Sequence, residues 1–193
     1  MEQRSEEWYK FRSKHIGASD VPVIFGLSPY RTELDLFLEK VLCYKNNSPS
    51  FAAQRGIDAE PKIKALYEAK FGVTVTSPTL EYPAWPILSA SLDGVHNSIV
   101  AEFKYPGKAL HEKAKRGKVP DLYMPQLQAQ LLVTGYKLAH YVSFDGLGIE
   151  VINVKPNKRM QEKILNECKE FWKKVEDMKS RLSFKGGELE WIA

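Results

Sequence analysis

Leu92-Asp93-Gly94 is followed by Glu102-Phe103-Lys104, with eight residues between Asp93 and Glu102. An extended strand alternates its side chains, so Glu102 and Lys104 share one face while Ala101 and Phe103 share the other. His96-Asn97-Ser98 has the length of a hairpin connection between a strand over 88–93 and a strand over 99–105. Such a hairpin returns Asp93 to the neighbourhood of Glu102, so two carboxylates converge beside an ammonium. Mg²⁺ takes hard oxygen ligands, commonly one or two carboxylates, with water and substrate phosphate completing its shell. A metal held this way activates water and stabilises charge on a phosphate under attack. Lys104 would orient or deprotonate that water and offset the growing negative charge. Solvated strand faces also carry acid and base together, so the pattern by itself fits both readings.

Three neighbours favour chemistry. Glu60 stands at the start of a helix ahead of these strands, where it supplies a third acidic group. Gly94 suits a tight turn at a strand end. On a helix over 122–134, Tyr123, Gln126 and Gln130 fall on one side at spacings of three and four, beside an apolar stripe of Met124, Leu127 and Leu131.

The remaining chain reads as helices, a β-meander broken by a helix, and a long final helix. A helix is expected over residues 6–13, then a short one capped by Ser19 or Asp20 and stopped by Gly26. Thr32 and Asp35 form a capping box opening a helix striped by Leu34, Phe37, Leu38 and Val41. Asn46-Asn47-Ser48-Pro49 makes a loop. A helix through Ile63, Leu66, Tyr67 and Phe71 ends at Gly72, with Pro61 near its start or kinking it. Residues 73–76, 80–82, 88–93 and 99–105 have strand character. Residues 138–144 and 149–154 form a second hairpin, and Asn157 caps a helix running to about Leu182. Cys168 lies on that helix's apolar stripe and reads as a buried thiol.

The chain's 193 residues are 44% apolar and 27% charged, which suits one domain over 1–193 with its own core and excludes disorder. A formal charge of +4 favours a polyanionic partner only where it is clustered. It is clustered after Lys104: Lys108, Lys113, Lys115, Arg116 and Lys118 face only Glu112, which reads as a mobile basic loop suited to phosphate. Arg12 precedes Gly17-Ala18-Ser19-Asp20, where a helix N-terminus, a hydroxyl and a guanidinium would receive a terminal phosphate. The two cysteines, Cys43 and Cys168, build neither a disulfide framework nor a four-cysteine metal site, which fits a reducing, cytoplasmic setting. No leader and no apolar run of about 18 residues points to secretion or a membrane span. His15, His96, His111 and His140 lack zinc-ligand spacing, and there is neither a nucleophile elbow nor a P-loop.

The ordered set Trp8-Tyr9-Lys10-Phe11-Arg12, Gly17-Ala18-Ser19-Asp20, Gly56 with Glu60, Ser91-Leu92-Asp93-Gly94, Glu102-Phe103-Lys104 and Tyr123-Met124-Pro125-Gln126-Leu127-Gln128 resembles the phage lambda exonuclease family, also called YqaJ-like viral recombinases. The resemblance spans about residues 5–180. It implies an α/β fold with a restriction-endonuclease-like core, a central mixed β-sheet flanked by helices. It implies an exonuclease that degrades one strand of double-stranded DNA from its 5′ end with Mg²⁺, or Mn²⁺ in its place. The assembly implied is a homotrimer, and the partner a single-strand annealing protein that takes the 3′ overhang. By motif, Asp93, Glu102 and the Phe103 carbonyl would ligate metal. Glu60 would act on the metal through water, Lys104 would position the nucleophile, and Gln126 rather than Gln128 would be the catalytic-site glutamine. Arg12, Ser19 and Ser91 match positions that hold the 5′ phosphate. Where the family has a leucine that pries open the end base pair, the nearest position in this chain is Ala53, so the resemblance implies either that a neighbour such as Phe51 takes the task or that strand separation works differently. A phage origin would place the protein in the cytoplasm of a bacterial host. Alternatives are an endonuclease of the same superfamily, a nuclease of other polarity or acting on RNA, a phosphodiesterase of small molecules, and a DNA-end binding module without catalysis.

Overall fold

The computed structural model describes residues 3–43, 51–185 and 188–191, so the loop expected at Asn46-Asn47-Ser48-Pro49 lies outside the described residues. In chain order the elements are α1 (Glu6–Ser13), β1 (Ile16–Gly17), a 3₁₀ turn (Ala18–Asp20), α2 (Val21–Ile24), α3 (Glu33–Leu42) and α4 (Phe51–Phe71). There follow β2 (Thr79–Glu81), β3 (Leu88–Ser91), β4 (Gly94–His96), β5 (Ile99–Lys104), α5 (Lys108–Lys115) and α6 (Met124–Thr134). The last are β6 (Leu138–Phe144), β7 (Ile149–Val154), α7 (Lys158–Ser180), β8 (Leu182–Lys185) and β9 (Glu188–Trp191).

Local chemistry accounts for the helix ends. The Ser5 side chain accepts from the Trp8 amide at 3.2 Å, and α1 carries Glu6 and Glu7 in its first turn and Lys10 and Arg12 in its last, matching the helix dipole. The Thr32 hydroxyl accepts from the Asp35 amide at 3.1 Å while the Asp35 carboxylate accepts from the Thr32 amide at 2.9 Å, the reciprocal capping box the sequence suggests. Asn157 caps α7 by accepting from the Met160 amide at 3.0 Å.

Two sheets carry the site: β1-β3-β2, and β4-β5-β6-β7. Asn97 and Ser98, at φ 45° and 59°, close the tight β4–β5 turn. The second sheet is mixed, because β5 and β6 run parallel while β4–β5 and β6–β7 are antiparallel. Parallel neighbours need a crossover, and α5 and α6 supply it, so the expected meander is corrected to two sheets. The expected strand over 88–93 stops at Ser91 and changes partners: β3 pairs with β1 and β2, and β4 with β5. Asp93 stands at this break. The strand expected over 73–76 reduces to one bridge, Thr76 with Val95, since Pro78 has no amide to extend the ladder.

Both faces of the second sheet are covered. Ala101, Phe103, Val142 and Phe144 pack with Ile63 and Tyr67 of α4. Val100, Ala139 and Tyr141 face the larger core, with Leu127 and Leu131 of α6 and Ile164, Cys168 and Phe171 of α7. Cys168 is a buried thiol as expected. Glu102 shares the α6 face and is 1% exposed, so the solvated-face reading of this strand does not hold.

Two helices differ from expectation. α4 begins at Phe51, so Glu60 and Pro61 lie in its interior. The chain tolerates Pro61 there at the loss of one helical hydrogen bond. The basic segment after Lys104 is no mobile loop: residues 108–115 form α5, whose Ala, Leu, Glu and Lys content favours helix. Among the described residues no helix is long and apolar enough to cross a membrane.

Candidate active site

Asp93 is fixed from both sides of the sheet break. Its carbonyl accepts from Ser77 Oγ at 2.8 Å, and its Oδ2 accepts from the Phe103 amide at 2.8 Å. The hairpin therefore does bring Asp93 beside Glu102. Gly94 serves by being small rather than by turning: a Cβ there would lie 3.1 Å from Val75 Cγ2 and 3.3 Å from Phe103 Cζ, so a larger residue would push these two side chains aside.

Three donors grip Glu102. Lys104 Nζ lies 2.5 Å from Oε1, Gln126 Nε2 donates to Oε1 at 2.7 Å, and Gln130 Nε2 donates to Oε2. The spacing of four on α6 puts both amides on one face, as the sequence indicates. Gln130 is the functional neighbour that motif matching passes over, and it is fully buried. Gln128 faces elsewhere: it donates to the Lys155 carbonyl at 2.9 Å and accepts from the Asn157 amide at 2.7 Å, anchoring the start of α7. Tyr123 stacks on Tyr141 with ring centroids 5.5 Å apart, and Lys104 Nζ sits 5.5 Å from the Tyr123 centroid.

The charges are frustrated. Burial raises the pKa of Asp93 well above the usual carboxylate range, and the Glu102 carboxylate raises it further, with Lys104 opposing. For Lys104, burial lowers the pKa, but Glu102 and Asp93 outweigh it and hold the ammonium above its ordinary value. Lys104 in this arrangement is a donor and a positive charge, not a proton acceptor. Two enclosed carboxylates that repel each other are a donor set for a hard divalent cation. Asp93 and Glu102 are such a pair, and Phe103, next to Glu102 in the chain, lines the same cavity. Glu60 lies on the same cavity and adds to the repulsion felt by Asp93, but it is paired with Arg4, and among the described residues no three His, Cys, Asp or Glu side chains form a closed metal cage.

A cavity of about 440 Å³ opens over these groups, with Ser19, Glu60, Asp93, Lys104 and Gln126 on its walls. Ala53 lines it too, and Phe51 is 86% exposed nearby on the first turn of α4.

Arg12, Ser19 and Ser91 are linked through Trp8. Arg12 Nη1 donates to Ser19 Oγ at 2.9 Å, Arg12 lies 5.2 Å over the Trp8 ring, and Trp8 Nε1 donates to Ser91 Oγ at 2.8 Å. Gly17 leaves room for the guanidinium, since a Cβ would sit 2.2 Å from Arg12 Nη1. The short helix expected after Ser19 and Asp20 is present as the four-residue α2 with Asp20 at its N-cap, but it is entered through a 3₁₀ turn and the Asp20 side chain makes no capping bond to it; the carboxylate takes the Gly17 amide at 3.0 Å instead. Asp20 is the second residue whose weight sequence reading underestimates. It is buried, and Arg12 Nη2 at 2.7 Å, Lys40 Nζ at 3.1 Å and Arg31 Nη1 at 3.9 Å surround it. Burial alone would raise its pKa, yet these three cations and the Gly17 amide hold it well below the usual range.

A family model described as the YqaJ-like viral recombinase domain matches residues 7–137. The chain is similar to Protein D345L of African swine fever virus (strain Badajoz 1971 Vero-adapted), 27% identical over 164 residues, covering 69% of this chain and 46% of that protein. It is similar also to Uncharacterized protein YqaJ of Bacillus subtilis (strain 168), 28% identical over 152 residues, covering 75% and 48%. The chain thus spans about half the length of the curated relatives it matches. Among solved structures, LHK-Exo in complex with dAMP matches at TM-score 0.79 and 25% identity, covering 91% of this chain and 95% of that one. LHK-Exo is described as an alkaline exonuclease from Laribacter hongkongensis. A phage related exonuclease from Haemophilus somnus 129PT matches at TM-score 0.63 and 12% identity, covering 89% and 98%. The fold is the restriction-endonuclease-like α/β fold of these phage-type exonucleases.

Proposed function

The chain belongs to the YqaJ-like viral recombinase family, and from that premise we propose that it is a metal-dependent exonuclease that degrades one strand of linear double-stranded DNA from the 5′ end. One observation carries the reading: Asp93 and Glu102 converge, with Lys104 and two glutamine amides, beneath a cavity whose wall also holds Ser19. Mg²⁺, or Mn²⁺, held by Asp93, Glu102 and the Phe103 carbonyl would supply the Lewis acidity that activates water and offsets charge on the phosphate.

The protein's own groups do the rest. Gln126 and Gln130 hold the Glu102 carboxylate in one orientation, which keeps its oxygens from rotating away as charge shifts. Lys104 orients the attacking water and stabilises negative charge on the phosphoryl oxygens. Glu60, on α4 and on the wall of the same cavity, would act on the metal through water. In the hydrolysis, the water oxygen bonds to phosphorus and the bond to the 3′ oxygen breaks. The released nucleotide keeps its 5′ phosphate and gains a 3′ hydroxyl, while the shortened strand carries a new 5′ phosphate. Arg12, with Ser19 bonded to it and Ser91 linked to it through Trp8, receives that phosphate and sets the next scissile bond over the carboxylates.

We propose in addition that residues 1–193 act as one nuclease domain, that three copies form a ring around the duplex, and that a single-strand annealing protein takes the 3′ strand. Leu34, Leu38 and Leu42, exposed at intervals of four on α3, give an apolar stripe for subunit contact.

Substrate topology tests the activity. Incubated with Mg²⁺, linear duplex should be consumed and covalently closed circles should survive. Nicking of the circles at a comparable rate points instead to an endonuclease, and binding to ends without product to a module lacking catalysis.

A companion result concerns the end itself. Arg12→Ala should slow digestion of 5′-phosphorylated duplex about tenfold to a hundredfold, the range of a charge-assisted contact of ~1.5 to 3 kcal/mol, with little change on 5′-hydroxyl duplex. Initial rates on the two end types check this, and equal slowing on both contradicts a phosphate-receiving role.

A further inference from the structure

Among the described residues, Arg55 is a cation with no carboxylate counter-ion. It projects from α4, half-buried, with its guanidinium stacked 4.5 Å from the Tyr105 ring centroid. Tyr105 is itself braced by Phe144, with centroids 5.1 Å apart, so the platform is fixed. The guanidinium makes only a long contact, Nη2 to the Tyr105 carbonyl at 3.4 Å, and its buried Nε has no hydrogen-bond partner among the described residues. No carboxylate pairs with it among the described residues, in contrast to Arg4, Arg12, Arg31 and Arg181. A half-buried guanidinium that is stacked, aimed and unpaired costs free energy unless an anion completes it.

Position identifies the anion. Arg55, Tyr105 and Gly107 line the cavity over Asp93 and Lys104, and the same three residues line a neighbouring cleft of about 330 Å³ against α5. Of the other polar groups there, Lys115 pairs with Glu112 at 3.0 Å and His111 Nε2 lies 3.6 Å from the Asp145 carboxylate. Lys108 has no carboxylate partner among the described residues, which leaves Arg55 and Lys108 as the two uncompensated charges of the cleft. Planar donors on an aromatic platform favour phosphate oxygens.

We propose that Arg55 and Lys108 form a phosphate subsite for the DNA strand whose scissile bond lies at Asp93 and Glu102, extending the track from the cavity into the cleft beside α5. This rests on the nuclease reading above.

Fluorescence anisotropy of a labelled, 5′-phosphorylated duplex in EDTA, across a salt series of roughly 50 to 200 mM, tests it. Arg55→Ala should weaken binding about tenfold and reduce the slope of log affinity against log salt by about one. Lys108→Ala, at an exposed position, should reduce the slope similarly without disturbing the fold. Arg55→Lys retains the charge and should keep a slope near wild type. Wild-type slopes in both alanine variants overturn the subsite. Should Arg55→Ala unfold, Lys108→Ala decides, and a wild-type slope there overturns the proposal. The two readings fail separately: a wild type that cleaves, combined with unchanged slopes, removes only the subsite. A wild type that never cleaves linear duplex in Mg²⁺, combined with reduced slopes in the variants, removes only the nuclease reading.

Discussion

Asp93→Asn and Glu102→Gln should each lower the rate of DNA cleavage at least about a hundredfold, the scale on which a metal ligand or a general acid-base group contributes, and Lys104→Ala should do the same. Their effects on stability should differ, and that difference comes from the geometry. Asp93 has its carboxyl pKa raised by burial and by Glu102, so its ionised form works against the fold above that pKa. Asparagine keeps an oxygen for the Phe103 amide and removes the repulsion. Asp93→Asn should therefore be inactive with a melting temperature at or above wild type. Glu102→Gln places an amide NH₂ against the donors of Gln126 and Gln130, and one mismatched buried pair costs about 1 to 3 kcal/mol. It should be inactive and melt lower. Rates on linear duplex, paired with thermal melts, check both halves. More than about a tenth of wild-type rate in all three variants contradicts the assignment of the site.

Replacement of Asp20 should give the largest loss of stability, about 3 to 5 kcal/mol for Asp20→Asn, because Arg12 and the fully buried Lys40 lose their shared counter-charge. Lys40 also donates to the Arg12 carbonyl at 2.8 Å, so the same change loosens α1 against α3. Since the folded-state pKa of Asp20 lies below its ordinary value of 3.8, its contribution is fully present well above that value and is lost as pH falls through and beyond it. Wild type should lose stability progressively below about pH 5, and the variant should respond less steeply over the same range. Urea unfolding at pH 7 and at about pH 3, below the ordinary carboxylate value, measures both. A loss under about 1 kcal/mol at pH 7 would show that the cluster is not held by this carboxylate. The preference for 5′-phosphorylated ends should fall with Asp20→Asn as well, because Arg12 is aimed by Asp20.

Features that depend on near neighbours are legible in the sequence. The bounds of α1, the Thr32-Asp35 box, the second hairpin and the Asn157 cap all follow from residues within a few positions of one another. The approach of Asp93 to Glu102 is legible for the same reason, being set by one short hairpin. Long-range partnerships are not. Lys40 lies twenty residues from Asp20 in the chain, and only the tertiary fold places the two 3.1 Å apart. The parallel pairing of β5 with β6 joins strands separated by two helices, which strand periodicity does not encode. Gln130 carries a readable signal, the spacing of four from Gln126, but its burial depends on the covered sheet face. α5 was legible from propensity, since residues 108–115 hold no glycine or proline. Its charge is what suggests a loop. Pro61 misleads in the opposite direction, marking a helix start where α4 simply continues.

The central claim, metal-dependent removal of nucleotides from the 5′ end, is tested most directly by digesting one linear duplex labelled at the 5′ terminus and, separately, at the 3′ terminus of the same strand, each in Mg²⁺ and in EDTA. The account predicts early release of the 5′ label as mononucleotide in Mg²⁺, retention of the 3′ label until the strand is largely consumed, and no release of either in EDTA. Early release of the 3′ label, or equal digestion in EDTA, would contradict it.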